Sequence, residues 1–275
     1  MFELALGLPE GRLFIGLGLA AAAASAAWGL GALSKSGLVA ASILGGLTFG
    51  LGGLPAAILL IAFFASSSAL SRAFASRKKK VASNFAKGSR RDWAQVAANG
   101  GVGLLALGAG AAGWLAPVVA WTAFAASLAA VTADTWATEL GVLSAKPPRL
   151  ISTGASVPRG TSGGVSFLGS AVALLAAGFI GVLAWLLVPS AAAAVLIISL
   201  AGLLGSFFDS YLGAMVQAIY YCPKCKKETE RHPLHTCGTK TALRRGWAWL
   251  DNDWVNFLAS AAGALLASGA ATFFL

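Results

Sequence analysis

Charge is what this chain has least of. Only 11% of its 275 residues are Asp, Glu, Lys or Arg, against about 25% in an ordinary soluble domain. That shortage excludes a soluble single domain and a disordered chain alike. Carboxylates are the rarer sign, 10 Asp and Glu against 20 Lys and Arg. Cysteine and histidine are rarer still: three Cys and two His, all between Cys222 and Cys237. A disulfide framework needs cysteines spread along the chain, so the cluster points to a metal-binding loop instead. No collagen-like glycine period and no nucleic-acid-binding motif is present. The net charge of +10 therefore reads as loop charge at an anionic membrane surface and as capture of phosphate, with no nucleic-acid partner.

What is abundant is apolar sequence, 57% of residues, together with 34 glycines suited to close helix packing in lipid. A spanning helix takes about 20 mostly apolar residues. Runs of that kind occupy 13–33, 38–70, 95–114, 117–140, 164–187, 191–218 and 254–275. Arg12 precedes the first run, and no convincing cleavage site follows it, so it is expected to be retained as a helix. The second run is too long for one ordinary span, and Gly50-Leu51-Gly52-Gly53-Leu54-Pro55 is expected to break it. The expected architecture is all-α: one polytopic membrane domain over 1–275, with seven or eight membrane segments.

Eighteen of the 20 basic residues fall in three stretches, 72–91, 146–159 and 224–245. Helix pairs separate these stretches, so parity puts all three on one side. The positive-inside rule makes that side cytoplasmic, in the cell membrane. Cytoplasmic loops are expected over 71–94, 141–163 and 219–250, the last folded as a small zinc-knuckle-like unit.

The same parity brings Asp134, Glu139, Asp209, Asp251 and Asp253 toward the cytoplasmic face. Carboxylates in apolar helices are costly and face polar cavities. With no Lys or Arg in the same helices, they read as a divalent cation site, most simply Mg²⁺ with phosphate. Asp134 and Glu139 stand about 140° apart on an ideal helix, so one ion cannot take both without an irregular turn. Asp251 and Asp253 would serve equally as helix caps. Two segments have anion-binding character. Arg159-Gly160-Thr161-Ser162-Gly163-Gly164 combines glycines, hydroxyls and a guanidinium before a helix. Lys87-Gly88-Ser89-Arg90-Arg91 leads into a helix bearing Gln95 and Asn99, and Arg90 and Arg91 suit bidentate phosphate contacts. Arg72 and Lys78–Lys80 read instead as topology-setting charge and headgroup contact. Cys222-Pro223-Lys224-Cys225 with Cys237 and His235 supplies a tetrahedral structural zinc set, with His232 competing for the fourth position.

Five strings resemble one integral-membrane family, in order along the chain. They are Gly88-Ser-Arg-Arg-Asp-Trp-Ala-Gln-Val-Ala-Ala-Asn-Gly-Gly101, Ala133-Asp-Thr-Trp-Ala-Thr-Glu-Leu-Gly141, Pro158-Arg-Gly-Thr-Ser-Gly-Gly164, Gly205-Ser-Phe-Phe-Asp-Ser-Tyr-Leu-Gly213 and Asn252-Asp-Trp-Val-Asn256. The family includes plant and cyanobacterial phytyl-phosphate kinase and the animal transmembrane protein 19. The resemblance runs from about residue 70 to the C-terminus, and residues 1–70 match only as apolar helices. It implies a kinase that converts an isoprenyl monophosphate to the diphosphate, with CTP as donor. It also implies distant kinship with membrane CTP-using lipid kinases and cytidylyltransferases. The matched positions are Arg90, Arg91, Asn99, Asp134, Glu139, Arg159, Thr161, Asp209 and Asp253. In the resulting assignment Asp134, Asp209 and Arg159 are catalytic, and Asp134, Glu139, Asp209 and Asp253 hold Mg²⁺. Arg90, Arg91, Asn99 and Gly160 to Gly164 hold the nucleotide phosphates. Cytidylyl transfer to a lipid phosphate and a lipid transporter or flippase stand as alternatives.

Overall fold

A computed structural model describes residues 10–74, 85–88 and 90–275; Lys78–Lys80 and Ser89 lie outside them. Among the described residues, seven helices are each long and apolar enough to cross a membrane. They are α1 (Glu10–Gly29), α2 (Lys35–Ala73), α3 (Trp93–Ala111), α4 (Pro117–Gly141), α5 (Phe167–Leu187), α6 (Ala193–Met215) and α7 (Asn252–Phe274). All seven expected spans are present, with ends shifted by a few residues. Polar side chains start several of them. Ser34 accepts from the Gly37 amide at the head of α2, and Ser166 from Gly169 at the head of α5. Asp92 and Gln95 form a reciprocal capping box on α3.

The long second run folds back on itself. Gly53 has φ 68° and ψ −162°, two residues before Pro55, and interrupts the helical backbone there. A straight helix of 39 residues would hold its ends about 58 Å apart. Here the Arg72 guanidinium donates to the Leu30 carbonyl at 2.6 Å, so the end of α2 lies beside its beginning. Each limb, 35–52 and 54–73, is about 27–30 Å long, the thickness of the hydrocarbon core. α1 runs antiparallel to the first limb, with Gly16 against Gly46 and Phe49, Gly45 against Ala20, and Arg12 beside Gly53. The break thus lies at one end of the bundle, and both ends of α2 lie at the other.

The core forms around α4, whose residues Val119 to Ala133 are buried without interruption. Water-driven burial gives no force between helices in lipid, so close contact depends on small residues. Neighbouring helices present glycines to α4: Gly103 against Phe124 and Ser127, Gly110 against Ala120, Gly202 against Ala129, and Gly263 against the Ala126 carbonyl. Apolar side chains face outward, and exposed aromatics mark two levels. Trp93, Trp247, Trp249 and Trp254 lie at the end where α3 and α7 begin, and Trp114, Phe273 and Phe274 at the other.

The connections at the first end are structured. β1 (Arg149–Leu150) pairs antiparallel with β2 (Gly164–Val165). β3 (Ile219–Cys222) is the centre of an antiparallel sheet ordered β4-β3-β5, with β4 (Lys227–Thr229) and β5 (Ala242–Arg245). Arg245 donates to the Gly213 and Ala214 carbonyls, both at 2.9 Å. That satisfies orphan acceptors at the C-terminal end of α6 and seats the sheet on it.

Candidate functional site

A cavity of about 470 Å³ opens at this structured end. Its walls come from the second limb of α2, residues 85–88 with Arg91, α3, α4, the 159–164 loop, α5, α6, the β-sheet module and α7. Six carboxylates line it: Asp134, Glu139, Asp209, Glu230, Asp251 and Asp253. The whole chain has only 10. Lys87, Arg91, Arg159 and Arg231 line it as well.

α4 carries two of the acids, and they look in different directions as the 140° spacing requires. Asp134 lies close enough to Asp209 on α6 for their charges to interact. Glu139 is buried and accepts from Ser71 of α2 at 2.7 Å. It also attracts the Arg91 guanidinium. That guanidinium lies over the rings of Phe63 and Phe64, at 5.1 and 5.0 Å. Burial pulls its pKa down to about 10. The Arg91 backbone is held too: its amide donates to the Ala32 carbonyl and its carbonyl accepts from Ser34, both at 2.9 Å.

Lys87 bridges two elements. Its ammonium lies 2.8 Å from Asp92 and also pairs with Asp253. Burial opposes its charge, but hydrogen bonds to Asp253 and Asp92 outweigh it and raise the ammonium above its usual 10.5. Burial likewise pushes Asp92 up, but the Lys87 contact and the capping amides hold it below its usual 3.8. Asp251 accepts from the Asp253 and Trp254 amides at 3.0 and 3.1 Å, so it is the cap of α7. Asp253 lines the cavity with an oxygen to spare. Buried and without a hydrogen-bond partner are Asp253 Oδ1, Asp209 Oδ2, Arg91 Nη1 and Arg231 Nε. Orphaned acceptors and orphaned donors in one cavity fit a ligand pair of both signs, a cation with an anion.

The 159–164 loop is pinned from within. Arg159 donates to the Ser144 and Ala145 carbonyls at 2.6 and 3.1 Å, and Thr161 to the Pro158 carbonyl at 2.8 Å. Gly163 has φ 82° and lies so close to Ala214 that a side chain would collide with it. Gly160 to Gly164 all line the cavity, as do Asn99 and Gln95. Arg90 does not: its guanidinium turns to the Leu33 carbonyl at 3.4 Å. Two contributors went unseen in the sequence, Glu230 and Gln217. Glu230 accepts from the Ala86 amide and from Gln217, both at 3.1 Å. Burial pushes its carboxyl above the usual range. Glu230 lies one residue beyond β4, in a polar stretch whose spacing carries no sign of an inward-facing acid.

Beside the cavity, Cys222, Cys225, His235 and Cys237 bring their ligand atoms within 4.8 Å of one another and can hold a metal ion. The Cys222 and Cys237 sulfurs are 3.6 Å apart. Two thiolates on a tetrahedral zinc, with bonds of about 2.3 Å, stand about 3.7 Å apart. His235 Nδ1 lies 3.3 Å from the Cys237 sulfur. His232 instead stacks on Tyr220 at 4.4 Å, which settles the choice of fourth ligand for His235. Hydrogen bonding with Thr239, with help from His235, pulls the Cys237 thiol down to about 5.

Fold and site together define a polytopic helical membrane protein with a charged cavity at one end of its bundle. The chain matches the family model described as Integral membrane protein DUF92 over residues 18–264 and belongs to that family. It is 33% identical over 240 residues to Protein PGR of Arabidopsis thaliana, covering 78% of this chain and 81% of that protein. It is 32% identical over 187 residues to an uncharacterized membrane protein of Methanocaldococcus jannaschii, covering 67% of this chain and 75% of that one. No solved structure matches the chain.

Proposed function

We propose that this protein is a membrane-embedded phosphotransferase that converts an isoprenyl monophosphate, phytyl phosphate or a close analogue, to the diphosphate. CTP is the donor. The observation that carries the reading is the gathering of six of the chain's 10 carboxylates with four basic side chains in one cavity. The family resemblance supports the choice of substrate and donor. The basic loops lie on the cytoplasmic side of the cell membrane, where the nucleotide is found.

Asp134, Asp209 and Asp253 would hold Mg²⁺, which would supply charge neutralisation at the donor phosphates. Arg91, Arg159 and the 160–164 glycines bind the donor polyphosphate, and Asn99 orients it. An oxygen of the acceptor monophosphate attacks the γ-phosphorus. The bond from that phosphorus to the β,γ-bridging oxygen breaks, giving isoprenyl diphosphate and CDP. The acceptor oxygen is already ionised at neutral pH, so no strong general base is needed; positioning and charge neutralisation supply the catalysis. Cys222, Cys225, His235 and Cys237 would hold a structural zinc, and a closed set of four would leave no open position for chemistry.

The test is turnover by purified protein with CTP, Mg²⁺ and a panel of isoprenyl monophosphates, products being read by mass spectrometry. CDP and the diphosphate are expected, and Asp209→Asn removes them while helix content stays unchanged. Released pyrophosphate would assign cytidylyl transfer instead. No turnover, with lipid moved across vesicles, would assign transport.

A further inference from the structure

The Cys/His module and the phosphate loop are far apart in the chain, yet one buried residue joins them. Gln217, 1% exposed, stands between the end of α6 and β3. Its carbonyl oxygen accepts from Ser162 of the 159–164 loop at 2.6 Å. Its amide nitrogen donates to Glu230 at 3.1 Å. The other oxygen of Glu230 accepts from the Ala86 amide at 3.1 Å. Ser162, Gln217, Glu230 and Ala86 thus form a continuous chain across three loops that wall the cavity. Both functional ends of Gln217 are used, and a buried amide left half-satisfied is costly.

Gln217 and Glu230 flank β3 and β4, the hairpin that presents Cys222 and Cys225. Tyr220 pairs with Thr229 and Cys222 with Lys227 in its register. The hairpin is too short to be stable alone. Its partner β5 is held to α6 by Arg245, and the 230–241 segment is drawn together both by the Cys/His cluster and by hydrogen bonds of its own. Thr241 donates to the Arg231 and Pro233 carbonyls, and His235 and Thr239 join through their backbones.

We infer that a zinc ion in the Cys222, Cys225, His235 and Cys237 set holds the cavity in shape through Gln217 and Glu230, which act as positioning residues. Metal bound in the module fixes Glu230. Glu230 fixes Gln217 and the 85–88 segment, and Gln217 fixes the phosphate loop through Ser162. This extends the phosphotransfer reading, because the loops so held are those assigned to the donor.

The test is amide hydrogen exchange on the full chain in detergent, read by mass spectrometry beside a metal assay. It needs neither substrate nor turnover, so a failed kinase assay leaves it readable. The protein as purified is expected to carry one zinc per chain. Cys225→Ser, at an exposed position, or a zinc-selective chelator is expected to remove that zinc. Exchange should then rise at least tenfold in 219–245 and also in 85–88 and 160–164, while the helices stay protected. Gln217→Leu should keep its zinc and raise exchange in 160–164 alone or with 85–88. A rise confined to 219–245 on zinc loss would overturn the coupling. A chain that takes up no zinc on reconstitution would overturn the metal site.

Discussion

The two parts of α4 differ in what surrounds them and in what they carry. From Val119 to Ala133 every side chain is buried, seven of the fifteen being Ala, with Ser127 and Thr132 bonding back to their own helix at 2.7 and 2.6 Å. From Asp134 to Glu139 the same helix opens onto the cavity. The first part has no chemistry but packs closely against glycines of α3, α6 and α7; the second holds two of the six acids. One rigid element thus carries both jobs. The packing part sets where the acids stand, and it gives them the rigid support that the proposed metal and phosphate contacts would require.

Substitutions in the two parts are expected to separate stability from activity. The largest effect on stability belongs to Gly202→Val. A Cβ there would lie 3.0 Å from the Ala129 backbone carbon, forcing α6 off α4. The expected cost is about 1–3 kcal/mol, seen as a lowered melting temperature in detergent. An unchanged melting temperature would mean that α4 is not the packing centre.

A smaller effect belongs to Lys87→Met at the cavity rim. The contact of Lys87 with Asp92 is partly exposed, so it contributes under about 1 kcal/mol. Its pH dependence has a definite sign. Asp92 titrates below its usual 3.8, so its contribution is present above that value and lost as pH falls through the folded value. Lys87 titrates above its usual 10.5, so its contribution is lost as pH rises through that higher value. The gap in melting temperature between wild type and Lys87→Met should therefore be larger at pH 7 than at a pH below 3.8, where it narrows as the pH falls. An equal gap at both would contradict the ion-pair account.

Much of this was legible from composition and spacing. Apolar length located the seven helices, and helix parity brought Asp134, Glu139, Asp209 and Asp253 to one end with Arg159 and the 160–164 loop. The 140° argument separated Glu139 from Asp134. What stayed hidden depends on tertiary contact. The Gly50 to Pro55 string announces a break but not its angle, so the folding back of α2 appears only when Arg72 meets Leu30. Arg90 and Arg91 are neighbours of identical chemistry, and which one enters the cavity follows from the clamp of Arg91 between Ala32 and Ser34. Gln217 and Glu230 matter through partners 55 and 144 residues away, a separation that no local motif reports.

The central claim is that acids from α4, α6 and α7 share one cavity in which a divalent ion joins them to a polyphosphate. Titration calorimetry of CTP into the purified protein, with and without Mg²⁺, tests it most directly. The account predicts binding at least tenfold tighter with Mg²⁺ than without, and an Asp209→Asn variant in which that difference disappears. CTP affinity indifferent both to Mg²⁺ and to the loss of Asp209 would contradict it.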